Sequence, residues 1–491
     1  MTLSELRKGR EIGKMMGIAH MEPMLPDLDA GLGDQVLALV EKSSSFSGSL
    51  NASLKASIGD VVRAMNCYYS NLIEGHDTHL ADIERAMRND YSKEPKKRDL
   101  QLEARAHIEV QSMIDRGEMP YPAMSVEGIC WIHREFCIRL PDSLLEIEDH
   151  VTGTTVRMTP GEIRTRHVRV GAHFAPEPAA LPALLNRFVQ AYSSPMLSKT
   201  QRILAVGAGH HRLAWIHPFV DGNGRVMRLL SHALLKELGI GSELWSVSRG
   251  LARNVARYKE LLQAADELKR GDLDGRGTLT EAGLAEFCRF FLGVCIDQID
   301  FMKSLLKPTE LMNRVEVWTD EEIRAKRLPK GSWRLLREAI LIGEFPRARA
   351  NELTGYQERQ ARTVLGELVT RGLLVSDTPK GPVRLGFPSV VIERWFPGLY
   401  QPRTAAVAEA NKTASAPVGD DEKVKRAAEL TSRAERRGWI IPDNFAKTIA
   451  VYANENDLAA MLEKVWQANT LEDLLAEHGI DLSRTTKSEG D

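Results

Sequence analysis

The stretch that most constrains this chain is Trp215-Ile216-His217-Pro218-Phe219-Val220-Asp221-Gly222-Asn223-Gly224-Arg225-Val226-Met227-Arg228. Pro218 cannot continue the helical pattern before it, so a helix must end there. Asp221, Gly222, Asn223 and Gly224 tolerate positive φ, which lets successive backbone N–H groups turn into one concavity and receive an anion. Val226, Met227, Leu229 and Leu230 then start a buried helix whose positive dipole end faces the same hollow. Arg225 and Arg228 lie three apart, hence on one face, where two guanidinium groups can clamp a polyphosphate. Asp221 beside such a nest suits Mg²⁺, a hard cation held by one or two carboxylates plus substrate phosphates. His217, at the loop entrance, can take a proton from a hydroxyl near neutral pH. These parts describe phosphoryl or nucleotidyl transfer. No G-x-x-x-x-G-K-[ST] loop occurs, and residues 222–227 lack the third glycine of a dinucleotide fingerprint and follow no strand.

The remainder reads as mainly α. Leu, Ala, Glu and Arg abound while aromatics make up only 6%, which favours helices over a barrel or sandwich. The Ser/Gly-rich SSSFSGS at 43–49 is expected to separate a loosely attached start from the first packed helix, Ala52 to Ile73. Between about 150 and 175, β-branched residues alternate among Gly and Pro, predicting a short hairpin and the only β element before residue 300. Helical periodicity resumes over 181–306, broken at 216–224 and 271–277. Helical stretches at 332–343, 347–354 and 357–372 precede LLVSDTPKGPVRLGF, which resembles two strands around a Pro/Gly turn; that order predicts a winged helix-turn-helix over 321–400. The Ala-rich residues 401–420 read as a linker, and 421–491 as a helical tail.

With 65 Lys+Arg against 67 Asp+Glu, the net charge of −2 excludes a globally basic nucleic-acid coat. Residues 321–387 are locally basic, with 13 Lys+Arg and 8 Asp+Glu, including Arg347, Arg349, Arg359, Arg362, Lys380 and Arg384. Contact with DNA phosphates, dimerisation and target docking are all compatible with that module. The five cysteines are odd in number and form no CxxC, so a reducing cytoplasmic compartment is expected, without disulfides or a zinc site. No run approaches the roughly 18 apolar residues of a membrane span. Asp272-Leu-Asp-Gly-Arg-Gly277 fails as a calcium loop, because Arg276 and Gly283 stand where ligands belong.

HPFVDGNGRVMR carries the HPFx[DE]GNGRxxR signature at all nine fixed positions and so resembles the Fic (Fido) family of protein adenylyltransferases. Residues 160–164 (PGEIR) through 172–178 (AHFAPEP) look like that family's flap hairpin, which pairs with a target backbone by strand addition. Residues 272–277 and 295–302 are similar to its later helices, extending the resemblance over about residues 55–310. It implies a Fic helical core at 121–310 behind an N-terminal helical region at 1–120. It also implies ATP and Mg²⁺, a protein target docking near 160–174, and transfer of AMP to a Tyr, Ser or Thr hydroxyl. By motif position, His217 would be the base and Asp221 the Mg²⁺ ligand. Gly222, Asn223 and Gly224 would form the anion hole, Arg225 would meet the phosphate chain, and Arg228 would anchor the γ-phosphate. Asn254, Tyr258 and Leu261 stand where relatives line the adenine pocket.

Ser70-Asn-Leu-Ile-Glu74-Gly75 resembles the family's inhibitory motif, [ST]xxxE[GN], with Ser70 and Glu74 on one helix face. The resemblance implies that Glu74 pairs with Arg228 and leaves bound ATP misaligned. Other readings stay open: a DNA-binding regulator with a nucleotide-sensing core, an enzyme that removes AMP, or one that transfers another phosphate-containing group. Self-modification and homodimer formation are likewise open.

Overall fold

The first two α-helices begin where a side-chain cap meets an apolar stripe. Asp29 caps α1 (Ala30–Gly48) and Asn51 caps α2 (Ala52–Ile73), each side-chain oxygen accepting a backbone N–H at 2.8 Å. The computed structural model describes residues 16–400, apart from 77, 150–153 and 171–172, together with Leu430 and Met461. It divides into two units, residues 1–407 and 408–491, and every element below belongs to the first. The expected linker, and the expected helical tail apart from those two residues, lie outside the described residues.

The expected interruption at 43–49 is confined to its end, because α1 runs through residues 43–48 and stops at Gly48 before α2 starts at Ala52. Phe46 is buried there and the Ser43 hydroxyl donates to the Ile240 carbonyl, so tertiary contacts override the weak helix propensity of the serines. This start is packed, not loose: α1 lies along α11 (Glu281–Leu305), the apolar helix at the centre of the core. Phe287, Phe291 and Ile299 of that helix are fully buried, and truncating either aromatic would cost about 3–5 kcal/mol. Before it in the chain come α3 (Leu80–Met87), α4 (Pro95–Asp115), α5 (Val126–Cys137), α6 (Leu181–Tyr192), α7 (Lys199–Ile216), α8 (Asn223–Glu237), α9 (Val247–Arg253) and α10 (Val255–Ala264).

Two short hairpins replace the single one expected. β1 (Glu146–Asp149) pairs antiparallel with β2 (Thr154–Arg157), and β3 (Arg169–Val170) with β4 (His173–Phe174). The backbone between them is committed elsewhere, which is why no continuous ladder forms. Gly161 N–H donates to His133 Nδ1 at 2.8 Å, and Arg164 N–H to the Pro218 carbonyl at 2.9 Å. At the rejected calcium loop, Asp274 closes the turn by accepting the N–H groups of Ala282 (2.9 Å) and Arg270 (3.0 Å).

Helix α12 (Pro308–Arg324) crosses the expected boundary near residue 321 and packs on α13 (Ser332–Ile342). Then follow β5 (Glu344–Phe345), α14 (Ala350–Thr354), α15 (Glu358–Thr370), β6 (Leu374–Val375), β7 (Val383–Leu385) and α16 (Ser389–Trp395). The three strands form one antiparallel sheet in the order β5-β7-β6. Among the described residues no helix is long and apolar enough to cross a membrane.

Candidate active site

Helices α7 and α8 meet at a tight turn that fixes the loop singled out above. His217 caps α7 with φ 50° and ψ 63°, left-handed backbone that a non-glycine residue adopts only when its surroundings enforce it. Its N–H donates to the Leu213 carbonyl at 3.0 Å, and its own carbonyl accepts Arg164 Nε at 2.7 Å. Gly222, with φ 77°, opens α8. Asn223 binds the loop to itself: its Oδ1 accepts the Phe219 N–H and its Nδ2 donates to the Phe219 carbonyl, both at 2.9 Å. His133 stacks on Phe219 with centroids 3.9 Å apart and ring planes within 1°. Burial lowers the His133 pKa to about 4, matching its role as acceptor from Gly161.

Arg164 is the central fastener. Besides the His217 carbonyl it donates to the carbonyls of Arg166 and Pro176 at 2.7 Å and Ile216 at 3.4 Å, joining residues 164–176 to the end of α7. Burial depresses its pKa to about 10, still well above neutrality. Arg164→Ala should destabilise the first unit by about 2–4 kcal/mol in denaturant titrations, since several buried carbonyls lose their donor together. Arg164→Lys should recover less than half of the loss, because one ammonium cannot span four carbonyls.

The start of α8 faces a carboxylate of the same chain. Glu74 is the C-cap of α2, where Gly75 (φ 85°) turns the backbone away, and its side chain lies against Gly224 so closely that a Cβ there would overlap Oε1. Glu74 Oε1 pairs with Arg228 Nη2 at 2.5 Å, and Arg228 Nε donates to the Ser70 hydroxyl at 2.9 Å. Arg228 and Ser70 are buried, whereas the Glu74 side chain remains 33% exposed at the rim. Desolvation opposes ionisation of Glu74, but Arg228, then Arg225, outweighs it and holds the pKa at about 2.

Arg225 is held in the same manner by Glu103 of α4, Nη2 to Oε1 at 2.6 Å, with its guanidinium over the Phe136 ring. The other Glu103 oxygen meets His76 Nδ1 at 3.0 Å. Burial works against the Glu103 charge, yet Arg225 and His76 keep its pKa below the usual carboxylate range; the same bond raises that of His76. Asp221 is half-exposed, with Oδ2 4.0 Å from Arg225 Nη1. Among the described residues no group of three ligating side chains forms a metal cage, so Mg²⁺ at Asp221 would need phosphate oxygens and water to complete its shell, its common mode.

His217 is pressed toward the neutral form, its pKa lowered to about 3 by burial, then by the Arg164 and His173 charges. His173 in β4 meets Asp266 through Nδ1 at 3.3 Å and the Trp215 carbonyl through Nε2 at 2.9 Å; although burial opposes its charge, the Asp266 bond raises its pKa. Of the expected adenine-side residues, Asn254 is exposed between α9 and α10, with Nδ2 donating to the Gly250 carbonyl at 2.9 Å. Tyr258 and Leu261 are buried, and the Tyr258 hydroxyl meets His210 Nε2 at 2.7 Å within the core.

Glu103, His76 and the fastening role of Arg164 were not singled out from sequence. A signal existed for the first: Glu103, His107 and Gln111 recur every fourth residue in α4 and are all buried, a polar stripe where an apolar one belongs.

The fold and this loop define a helical domain built around the tight turn between α7 and α8. Residues 123–235 match the Fic/DOC family, so this part of the chain carries a Fic/DOC domain. It is 38% identical over 96 residues to the protein adenylyltransferase Fic of Drosophila erecta, covering 20% of this chain and 19% of that protein. It is 32% identical over 139 residues to the protein of the same name from Drosophila mojavensis, covering 28% of each. The match thus spans little more than a quarter of these curated relatives at most. A Fic family protein from Desulfovibrio desulfuricans is a structural neighbour with a TM-score of 0.43 and 16% identity, over 74% of this chain and 98% of that one.

Proposed function

We propose that this protein is an adenylyltransferase that moves AMP from ATP to a hydroxyl of a protein target, and that Glu74 restrains it. The observation that carries the reading is the Glu74 carboxylate, seated on Gly224 and paired with buried Arg228, where the anion of a bound nucleotide is expected. In the transfer, neutral His217 takes the proton of the target hydroxyl. The freed oxygen bonds to the α-phosphorus, the bond from that phosphorus to the bridging oxygen breaks, and pyrophosphate leaves with the electron pair. The N–H groups at 222–224 and the Arg225 guanidinium lie ready for the phosphate charge, and Arg228 becomes available once Glu74 departs. Mg²⁺ bound by Asp221 would offset charge on the phosphates. The exposed edge at β3 supports docking of a target backbone near 160–174. The five free cysteines support a reducing, cytoplasmic setting.

Supplying the Glu74→Gly form with Mg²⁺ and ATP labelled at the α- or the γ-phosphate tests this directly. Protein-bound α-label alone is expected. Transfer of γ-label alone would make the enzyme a kinase, and no transfer of either would favour a nucleotide-sensing regulator.

We read residues 321–400 as a winged helix used for docking rather than for DNA contact. Its arginines are largely committed: Arg349 to Glu338, Arg362 to Glu358, Arg371 to Glu367 and Arg384 to Asp60. Phosphate contacts would have to compete with these carboxylates.

A further inference from the structure

The restraining helix α2 is gripped along its length by the C-terminal module. Near its start, Arg384 of β7 donates through Nη1 to the Ser57 hydroxyl at 2.8 Å and meets Asp60 through Nη2 at 3.2 Å. Near its end, the Tyr69 hydroxyl donates to the Leu399 carbonyl at 2.9 Å. Tyr69 immediately precedes Ser70, the residue that holds Arg228. The same carbonyl accepts Arg249 Nε at 3.2 Å, and Gly398 accepts Arg249 Nη2 at 2.9 Å, so residues 398–399 bridge α2 to α9. Tyr400 continues the strap, packing edge-on against Tyr68 with ring centroids 5.2 Å apart. Tyr69, Arg249 and Tyr400 are all buried.

These contacts have one mechanical result. A helix moves nearly as a rigid rod, so Glu74 at its C-terminus cannot swing off Arg228 with its supporting turn unless the Tyr69 bond yields or the last turn unwinds. We infer that residues 398–400 and Arg384 form a latch that keeps α2, and with it Glu74, on the anion nest, so that the C-terminal module sets the strength of the restraint. Tyr69, Arg249 and Arg384 act as positioning residues, since none touches the anion loop itself. A partner that bends the 398–400 segment away, or draws Arg384 off Asp60, would thereby release the enzyme. This inference rests on the restraint proposed above.

The test uses the full chain carrying Tyr69→Phe and Arg384→Ala, singly and together, with Glu74 intact and in the Glu74→Gly background. Tyr69→Phe removes the hydroxyl and keeps the ring, while Arg384→Ala removes the bonds to Ser57 and Asp60 on α2 together with that to Asp377. Labelling by the double variant should rise roughly three- to tenfold over wild type, the range expected from losing hydrogen bonds of this kind, and Arg384→Lys should restore part of the restraint. In the Glu74→Gly background the same substitutions should add nothing. Hydrogen exchange gives a second readout, because the amides of Glu74, Gly75 and His76 are bonded to the Ser70, Leu72 and Asn71 carbonyls and should exchange faster once the latch is cut. Wild-type labelling and exchange in the double variant, alongside raised labelling by Glu74→Gly, would overturn the latch alone. If Glu74→Gly itself labels no more than wild type, the proposed restraint fails and exchange decides the latch: faster supports it, unchanged sinks it.

Discussion

Glu74→Gly should raise the initial rate of AMP transfer from ATP by at least about tenfold over wild type. The substitution removes the carboxylate that lies on Gly224 and frees the buried Arg228 guanidinium, which keeps its bonds to Ser70. Separating such a pair without a replacement anion costs several kcal/mol, about 3–5 by general experience, so a polyphosphate able to supply that anion gains most of what the carboxylate gave up. The gain should not depend on pH across the neutral range. The folded-state pKa of Glu74 is depressed, so its pairing contributes fully above the ordinary value of 4.5 and is lost only as pH falls toward about 2. The ratio of variant to wild-type rates should therefore stay level between about pH 6 and pH 8. A ratio that collapsed toward one at the acid end of that window would show that a different group controls access to Arg228.

His217→Ala, made in the released Glu74→Gly background, should lower the transfer rate by about 10²–10⁴, the range for loss of a positioned base. Apparent affinity for ATP should change little, because the groups expected to hold the phosphates come from residues 222–228 and keep their own supports. Asn223 remains clamped to the Phe219 backbone, and Arg164 continues to grip the carbonyl at position 217. Nor should a protonation step of His217 itself appear near its ordinary pKa. Burial, Arg164 and His173 together favour the neutral imidazole down to about pH 3, so the base is unprotonated wherever the rest of the enzyme is intact. Rate and affinity falling together would instead indicate that the substitution had collapsed the turn.

Much of the site could be read from the sequence because its determinants are local. Pro218, Gly222 and the run of apolar residues after Gly224 determine where one helix stops and the next starts, and Ser70 with Glu74 needs only a four-residue helical spacing. The limits of α2 were legible for the same reason, a capping Asn51 and a terminating Gly75. What escaped was tertiary. Helix α1 survives its serines because Phe46 finds a core and Ser43 finds the Ile240 carbonyl, partners about 200 residues apart in the chain for the latter. The single expected hairpin became two because Gly161 and Arg164 spend their N–H groups on His133 and Pro218, contacts that alternation cannot foretell. Glu103 and His76 belong with the arginines only because α2, α4 and α8 converge.

On the proposed reading, the Glu74 carboxylate paired with Arg228 is a ligand tied to its own receptor. A freely diffusing inhibitor can be dialysed away or lost on dilution, whereas one carried on α2 is present at a fixed effective concentration, commonly on the order of millimolar for short connections. Purified protein would then reach the assay with its competitor aboard, and no amount of buffer exchange would change the starting state.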